Sequence, residues 1–409
     1  MKAKFLFSSF LCLFIYSQAQ VKSGLEVLTS HQFRELEHKK IGLITNPTGV
    51  DRNLHSTIDL LFDSKKVKLV ALFSPEHGVR GNYEAGEHVA TYTDIKTNLP
   101  VYSIYGGTNK PTPAMLKGID ILVYDIQDIG SRSYTYISTL GLAMEAAAEN
   151  NIEFMVLDRP NPLGGLKMEG SLVEPGFVSF VSQFPIPYIH GLTIGELATY
   201  LNEEGLLANK AKCKLTVIEM KGWKRSMNFE ETGLPWVPSS PHIPYAHSPY
   251  FYPVTGILGE LYVMNIGVGY TLPFQLVAAP WVNADSLSQN LNNLKLPGLI
   301  FRPIHYKPYY STSKGKMIHG VQIHIANFDK APLSLVQFYI LQGCHTLWPD
   351  KNVFELCDSS RLSMFDKVCG TDKIRTEFTK TFKVDSILTV WSQGLQAYKQ
   401  NARKYFLYN

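Results

Sequence analysis

Cysteine is scarce in this sequence, and metal-binding patterns are missing. The 409 residues include 5 cysteines, with no C-x-x-C pair and no cluster of cysteine and histidine at the spacing of a zinc site. The glycine-rich segment "YGGTNKPT" at 105–112 lacks both G-x-G-x-x-G and the Walker pattern. The sequence therefore predicts neither a metal nor a nucleotide cofactor.

A serine-nucleophile motif and a large charge of one sign are also absent. No strand is followed by G-x-S-x-G, the strained turn that exposes a nucleophilic serine. The chain has 39 Lys and Arg against 35 Asp and Glu, a formal net charge of +4. Near neutrality argues against a polyanion-binding surface, so no nucleic-acid partner is expected.

The first residues have the pattern of an export signal. Lys2 and Lys4 precede an apolar stretch at 5–16, which is followed by Ser17-Gln-Ala19, a small-x-small cleavage pattern. The apolar stretch is too short for a bilayer-spanning helix, which needs roughly 20 residues. We therefore expect residues 1–19 to be a signal peptide and the mature chain, with no membrane span, to be periplasmic or extracellular. Its net charge would be +2, because two lysines and no acids are removed from +4.

An oxidising periplasmic or extracellular location would allow one or two disulfides, with Cys357 and Cys369 as the first candidate pair.

The first half of the chain repeats one pattern, in which an apolar run ends in a polar loop containing Gly or Pro. Apolar runs without alternation are typical of strands buried on both faces, and segments such as "TLGLAMEAAAENN" have helical spacing. This pattern predicts a doubly wound α/β domain with a parallel sheet over residues 20–210, which we expect to be catalytic. The five clearest runs are "KKIGLITNPTG", "VKLVALFSPEHG", "LPVYSIYGG", "IDILVYDIQDIG" and "IEFMVLDRPNP".

The pattern changes after about residue 210. "CKLTVIEM" predicts the first strand of a second, smaller α+β domain over residues 211–409, with further strands at "GLIFRPIHY" and "GVQIHIANF". Amphipathic helices are expected near 332–347 and 385–405. Because pockets favour domain interfaces, a cleft between the two domains is the expected binding site.

Polar side chains stand where several predicted strands end. Open parallel sheets bind ligands beyond the carboxyl ends of their strands, so polar groups from four separate strands should converge on one site. These residues are Asn46, Glu76, Asp125, Gln127, Asp128, Asp158 and Asn161.

The loop "LFSPEHGVRG" at 72–81 brings Glu76, His77 and Arg80 together directly after a predicted strand. Glycoside hydrolysis uses two carboxyl groups, one that protonates the leaving oxygen and one that acts as base or nucleophile. Glu76 is suited to the acid role. The alternative is a surface carboxylate paired with Arg80.

The segment "YDIQDIGSRSYTY" at 124–136 combines hydrogen-bonding groups with aromatic faces, as a sugar site requires. Asp125 and Gln127 share a face by the period of two, whereas Asp128 could instead cap the following helix. The other candidates for sugar contacts here are Arg132, Tyr134 and Tyr136.

Two later segments hold the remaining candidates. "LDRPNPLGG" joins Asp158, Arg159 and Asn161 with two prolines that restrict the backbone, although an ion pair between the first two and an asparagine turn would also explain them. His190 precedes "GLTIGELA", in which Thr193 and Glu196 have the spacing of a helix capping box and need no chemical role.

Several of these segments together make the chain similar to a known family. "GLITNPTGV", "LFSPEHGVRG", "YDIQDIGSRSYTYI", "LDRPNPLGG" and "IHGLTIGELA" resemble, in order, motifs of the NamZ-like exo-β-N-acetylmuramidases, and the similarity extends from about residue 40 to at least 282. The resemblance implies a Rossmann-like domain, a smaller second domain and release of N-acetylmuramic acid from the non-reducing ends of peptidoglycan fragments.

The resemblance also assigns roles to individual residues. The Glu of its S-P-E-H-G motif is Glu76, implied to be the general acid/base, and the Asp of its D-I-Q-D motif is Asp125, with Asp128 as the rival for the second carboxylate.

One segment departs from the family's E-G-T-N and G-R-G-T-T-R-P-F motifs. In "GELYVMNIGVGYTLPF" at 259–274, Glu260 and Asn265 retain part of the pattern, but both arginines are replaced, around Gly269, Tyr270 and Leu272. Such arginines would suit the lactyl carboxylate of muramic acid. This departure predicts a weaker muramate preference, unless Arg80, Arg132 or Arg159 compensates.

The sequence thus predicts an exported exo-acting glycoside hydrolase whose partner is a peptidoglycan-derived oligosaccharide. Two alternatives remain at this level. The chain could be a non-catalytic protein that binds cell-wall glycan, or an exo-hydrolase that acts on another N-acetylated amino sugar.

Overall fold

A seven-stranded sheet forms the first domain in a computed structural model that describes residues 20–81 and 91–409. Its order is β3-β4-β2-β1-β5-β6-β7, and all neighbours are parallel except β3 and β4. The signal peptide expected at 1–19 lies outside the described residues. The strands are β1 (Lys40–Thr45), β2 (Lys68–Ser74), β3 (Tyr92–Thr93), β4 (Pro100–Ser103), β5 (Ile121–Asp125), β6 (Glu153–Leu157) and β7 (Lys214–Ile218).

All five runs predicted as strands are confirmed as β1, β2, β4, β5 and β6. The central strands form because their side chains are apolar on both faces, and all five residues of β5 are buried. Chain order reverses between β1 and β5, which pair with each other while β2 lies on the other side of β1. The carboxyl ends of these strands are therefore where a ligand site is expected.

Helices cover both faces of this sheet. The alanine-rich α4 is buried along most of its length, and α5 begins at the predicted capping box, in which Thr193 accepts from the Glu196 backbone N–H and the Glu196 side chain bonds back. No helix in the described ranges is long and apolar enough to cross a membrane. The helices are α1 (Gly24–Ser30), α2 (Thr57–Phe62), α3 (Pro113–Leu116), α4 (Tyr136–Glu149) and α5 (Ile194–Glu203).

The second domain contains a three-stranded antiparallel sheet of order β8-β10-β9, comprising β8 (Leu276–Ala279), β9 (Leu299–Tyr306) and β10 (Ile318–Ile325). Helices pack against it around a large apolar core. They are α6 (Ser248–Gly259), α7 (Ala284–Asn293), α8 (Val336–Leu347), α9 (Val353–Leu356), α10 (Ser359–Cys369), α11 (Lys373–Thr381) and α12 (Leu388–Trp391). The last helix, α13 (Leu395–Ala402), packs instead against the core of the first domain.

The domain boundary expected near residue 210 needs correction. Strand β7 pairs in parallel with β6, from Glu153 opposite Lys214 to Leu157 opposite Ile218, so it completes the first sheet. As an edge strand it is only partly buried, which gives it a different sequence pattern from the central strands. The chain end also returns to the first domain, where the Tyr408 hydroxyl donates to Asp158 at 2.6 Å.

The expected disulfide is not formed. Cys357 and Cys369 are both free thiols, as are Cys213 and Cys344. Burial raises the pKa of the Cys213 and Cys344 thiols to about 12, so both are protonated at neutral pH.

Candidate active site

A cavity of about 560 Å³ lies between the two domains, beyond the carboxyl ends of β2 and β5. The first domain contributes Glu76, Tyr105, Tyr134 and Tyr136, and the second contributes Glu260 and Arg361. A larger cavity of about 710 Å³ lies around Leu166 and Phe328, and it contains none of the predicted catalytic carboxylates. The interdomain cavity is therefore the candidate active site.

The end of β2 delivers Glu76 to this cavity. The strand is buried up to Ser74, and the chain then turns through Pro75. His77 adopts a φ of 72° and Gly78 a φ of 81°, so the backbone reverses immediately after Glu76. The left-handed region is uncommon for a residue with a side chain, and such conformations concentrate at functional sites. The buried His77, a candidate from the same loop, also lines the cavity.

Both carboxylate oxygens of Glu76 accept a hydrogen bond. The Tyr105 hydroxyl donates to Oε1 at 2.9 Å, and the Thr135 hydroxyl donates to Oε2 at 3.2 Å. Burial raises the pKa of Tyr105 well above its usual value, and the nearby charge of Glu76 adds to this effect. Tyr105 therefore stays protonated and acts as a donor, and the two hydroxyls fix the orientation of the carboxylate.

Three tyrosines form an aromatic wall of the cavity. Tyr134 contacts Tyr136 and Tyr252 edge to face, with ring centroids 5.1 and 5.6 Å apart. Ser239 fixes two of the rings, because its hydroxyl lies 2.8 Å from the Tyr134 hydroxyl and its carbonyl accepts from Tyr136 at 2.6 Å. Tyr134 and Tyr136 thus lie where a sugar contact was predicted.

A second carboxyl group reaches the cavity from the other domain. Glu260 follows the last residue of α6 and lines the cavity. Burial raises its pKa, although the Arg361 guanidinium, with Nη1 at 3.8 Å from Oε2, acts in the opposite direction. Glu76 and Glu260 therefore place one carboxyl group from each domain on the same cavity.

Asp125 lies apart from this cavity. Its side chain is 0% exposed and is held by Arg159, whose Nε and Nη2 donate to Oδ1 and Oδ2 at 2.5 and 2.9 Å. Thr57 also donates to Oδ2. Both carboxylate oxygens of Asp125 therefore accept hydrogen bonds inside the first domain, and the Arg159 guanidinium is used in this ion pair.

Asp128 and its neighbours are buried as well. Oδ2 of Asp128 accepts from the Gly130 backbone N–H at 2.7 Å and lies 3.4 Å from Nε2 of His190. The Gln127 amide donates to the carbonyls of Asp128 and Pro160 at 2.8 and 2.7 Å. These bonds hold the loop after β5 against the loop after β6.

Asp158 supports the start of α5. It accepts from the Gly195 backbone N–H and the Thr193 hydroxyl, both at 2.8 Å, in addition to Tyr408. Complete burial raises its pKa to about 7 in spite of these donors. Asn161 forms a local turn, accepting from the Leu163 N–H at 2.9 Å.

The remaining predicted polar residues have partners outside the cavity. Asn46 accepts from the Thr48 backbone N–H at 2.9 Å. Arg80 forms two bonds to Asp94 at 2.6 and 2.9 Å, which lower the pKa of that carboxyl to about 2. Neither residue lines the interdomain cavity.

Arg132 is fully buried and joins the domains. Its guanidinium donates to the carbonyls of Ser171, Ile186 and Val368 at 2.6, 2.7 and 2.8 Å, and to the Ser182 hydroxyl at 3.2 Å. Burial lowers the pKa of Arg132 to about 10, which leaves it protonated at neutral pH. Its contacts explain it as a structural residue.

The expectation that all strand-end residues border one cleft with Glu76 is wrong. Buried carboxylates require charged or hydrogen-bonding partners. The side chains of Asp125, Asp128 and Asp158 therefore point into the first domain, where arginine, backbone N–H groups and hydroxyls donate to them. Of all the predicted site residues, those that do not line the cavity are Asn46, Arg80, Asp125, Gln127, Asp128, Arg132, Asp158, Arg159, Asn161 and His190.

Sequence reasoning missed several residues of the site, including four that carry polar groups. Tyr105 follows the end of β4 in "YSIYGG", so the strand-end argument could have identified it. Thr135 lies between two predicted tyrosines. His242, in the loop rich in histidine and aromatics, and Arg361, in α10, also line the cavity. No local motif distinguishes Arg361, because its position depends on how the second domain packs.

Replacing Tyr105 by phenylalanine should lower kcat about tenfold. The variant loses a charged hydrogen bond to Oε1 of Glu76, and such bonds contribute about 1.5–3 kcal/mol. Tyr102→Phe is the control, because Tyr102 lies in the same strand region but outside the cavity. Wild-type kcat in Tyr105→Phe would show that the hydroxyl does not position Glu76.

A parallel α/β domain that faces a smaller domain across a cleft with two carboxyl groups and a tyrosine wall has the groups that a glycoside-cleaving enzyme requires. Comparison with known families supports this class. Residues 41–247 match the family model "Exo-beta-N-acetylmuramidase NamZ, N-terminal", and residues 250–408 match the corresponding C-terminal model. The chain belongs to the NamZ family of exo-β-N-acetylmuramidases.

Individual relatives agree with this assignment. The chain is 44% identical over 389 residues to the peptidoglycan beta-N-acetylmuramidase NamZ of Bacillus subtilis (strain 168), covering 95% of this chain and 92% of that protein. A crystal structure of a DUF1343 family protein from Bacteroides fragilis NCTC 9343 is 57% identical with a TM-score of 0.92, covering 95% of this chain and 99% of that one.

A second DUF1343 structure from the same organism is 29% identical, with a TM-score of 0.76 and coverage of 96% and 99%. The two matched family regions meet between residues 247 and 250, where α6 begins. Their junction agrees with the position of β7 in the first sheet.

Proposed function

We propose that this chain is an exported enzyme that hydrolyses the glycosidic bond of terminal N-acetylmuramic acid in peptidoglycan fragments. The observation that carries the proposal is Glu76, held by two hydroxyl donors in a tyrosine-lined cavity between the domains. The name of the Bacillus subtilis relative supports the substrate class. The cavity volume of about 560 Å³ is within the range of small-ligand sites.

Glu76 acts as the general acid/base in this proposal. Its carboxyl group donates a proton to the leaving oxygen as the glycosidic bond breaks. As a carboxylate it then takes a proton from the water that attacks the sugar. Tyr105 and Thr135 keep the Glu76 carboxyl group pointed into the cavity during both transfers. The tyrosine wall provides faces for the sugar rings.

Glu260 is proposed as the second carboxyl group, in place of Asp125 and Asp128. It lines the same cavity as Glu76, whereas both aspartates are buried with partners inside the first domain. A carboxyl group must reach the anomeric carbon or its attacking water to act there.

Export is proposed from the first 19 residues. Their two lysines, short apolar stretch and small-x-small pattern support a signal peptide. An enzyme for cell-wall fragments would meet its substrate in that location. Expression of the full chain, followed by N-terminal sequencing of the mature protein, tests the cleavage expected after Ala19.

Product identity tests the enzymatic proposal. Residues 20–409, incubated with a disaccharide that carries N-acetylmuramic acid at its non-reducing end, should release free N-acetylmuramic acid, detected by mass spectrometry. The same disaccharide with the two sugars in reverse order should not be cleaved. Binding of either disaccharide without hydrolysis would instead identify a glycan-binding protein.

A further inference from the structure

One arginine of the second domain points unused donors at the cavity. Arg361 lies in the first turn of α10, which begins at Ser359. Its guanidinium lies 3.8 Å from the centre of the Tyr262 ring, and its Nη1 is 3.8 Å from Oε2 of Glu260, beyond hydrogen-bond distance. Among the described residues, none forms a hydrogen bond with this guanidinium. Its side chain is 34% exposed, so a ligand can reach it.

The other arginines considered for the substrate are already engaged. Arg80 is bonded to Asp94, and Arg132 donates to main-chain carbonyls of both domains. Arg159 forms two bonds to Asp125. Arg361 is the single arginine, and no lysine accompanies it, among the described residues that line the cavity.

The guanidinium of Arg361 is already oriented before a ligand binds. Stacking on Tyr262 holds the plane of the guanidinium, so less conformational freedom is lost when a ligand binds. Arginine presents paired N–H donors that match the two oxygens of a carboxylate. Glu260 occupies one side of the group at 3.8 Å and leaves its remaining donors available to a ligand.

We propose that Arg361 binds the lactyl carboxylate of the terminal N-acetylmuramic acid and so determines the preference for this sugar. The inference rests on the proposed function. The lactyl group is the part of muramic acid that N-acetylglucosamine lacks, and it carries the only charge on the sugar. Glu76 and Arg361 then engage the two ends of one sugar from opposite domains.

This arginine takes the place of those missing from residues 259–274. Tyr270 and Leu272 do not line the cavity. Tyr270 packs on Tyr306 and Tyr309, with ring centroids 4.6 and 6.2 Å apart, and both residues pack against one apolar cluster around Tyr306. Val268 lines the cavity instead. The expected weakening of muramate preference is thus offset by a charge from α10.

The direct test compares N-acetylmuraminide and N-acetylglucosaminide substrates with the same para-nitrophenol leaving group. In Arg361→Met, kcat/KM for the muraminide should fall about ten- to a hundredfold, the effect of losing a charged hydrogen-bonded pair. The value for the glucosaminide, which has no lactyl carboxylate, should fall by a clearly smaller factor, so the ratio of the two values should decrease. Arg361→Lys should keep part of the preference, because it retains the charge but not the paired donors.

A change in the substrate provides the matched measurement. Converting the lactyl carboxylate to its methylamide should lower kcat/KM of the wild type by a similar factor, and should have little further effect on Arg361→Met. Such non-additivity is the signature of two groups that contact each other. Arg34→Met is the control, because Arg34 is on the surface of the first domain with its side chain 75% exposed.

A binding measurement separates this inference from the proposed activity. Calorimetry with free N-acetylmuramic acid and N-acetylglucosamine should show tighter binding of the acid by the wild type, and equal binding by Arg361→Met. An unchanged muramate preference in Arg361→Met would overturn the inference while leaving the hydrolase intact. A wild type that binds the acid through Arg361 but cleaves neither glycoside would overturn the proposed function alone. If Arg361→Met fails to fold, equal wild-type rates on the acid and the methylamide would overturn the inference.

Discussion

Replacing Glu76 by glutamine should lower kcat by at least about a hundredfold, because general acid/base groups contribute about 10²–10⁴ to the rate. Glutamine has nearly the same shape and can still accept from Tyr105 or Thr135, but it cannot transfer a proton. The fold should be unchanged, since Glu76 lies in a loop beyond β2. Release of N-acetylmuramic acid from the disaccharide, with circular dichroism of each variant, measures both effects.

The matched control is Glu219→Gln. Glu219 is exposed and lies outside the cavity, so this variant carries the same chemical change without reaching the substrate. It should keep wild-type kcat. If Glu76→Gln has near-normal activity while its substrate affinity is also normal, Glu76 has no part in proton transfer, and the acid/base role would pass to Glu260.

Replacing Arg132 by methionine should lower the free energy of unfolding by at least about 3 kcal/mol. The substitution leaves three buried carbonyls without a donor, and each unsatisfied group costs about 1–3 kcal/mol. Two of these carbonyls belong to loops of the first domain and the third, that of Val368, to α10 of the second. The loss should therefore weaken the attachment of the helix that carries Arg361.

Urea unfolding followed by tryptophan fluorescence measures this change. Arg302→Met is the control, because Arg302 is exposed and its guanidinium bonds to Gln322 at 3.1 Å on the surface of the second sheet. That variant should lie within about 0.5 kcal/mol of wild type. Equal stability of Arg132→Met and Arg302→Met would show that water or rearranged side chains satisfy the three carbonyls.

Local sequence patterns predicted some parts of the structure well. The apolar runs identified five strands of the first sheet, and the spacing of Thr193 and Glu196 identified the start of α5. The capping box depends on interactions between residues close in the chain. The apolar runs reflect burial that every central strand of a parallel sheet experiences. The partly buried β7 is an edge strand without that continuous apolar pattern, so its sequence does not indicate that it belongs to the first sheet.

The direction of each strand-end side chain was harder to predict. Glu76 and Asp125 both follow buried strands, yet the first reaches the cavity and the second pairs with Arg159. Sequence motifs mark both residues equally. Burial of an unpaired carboxylate is unfavourable, so the direction of each side chain depends on which cation the folded chain places nearby. That partner is known only once neighbouring loops are positioned.

The sequence by itself determined the parallel α/β domain, the family and the location of Glu76 at a strand end, because these depend on local periodicity and on motifs in fixed order. Only the tertiary structure decided which groups share the cavity. Glu260, which follows α6, and Arg361, in α10, are distant from Glu76 in sequence and share its cavity through packing of the second domain against the first. Contacts of this kind arise from burial and charge pairing across the whole fold, and no short stretch of sequence specifies them.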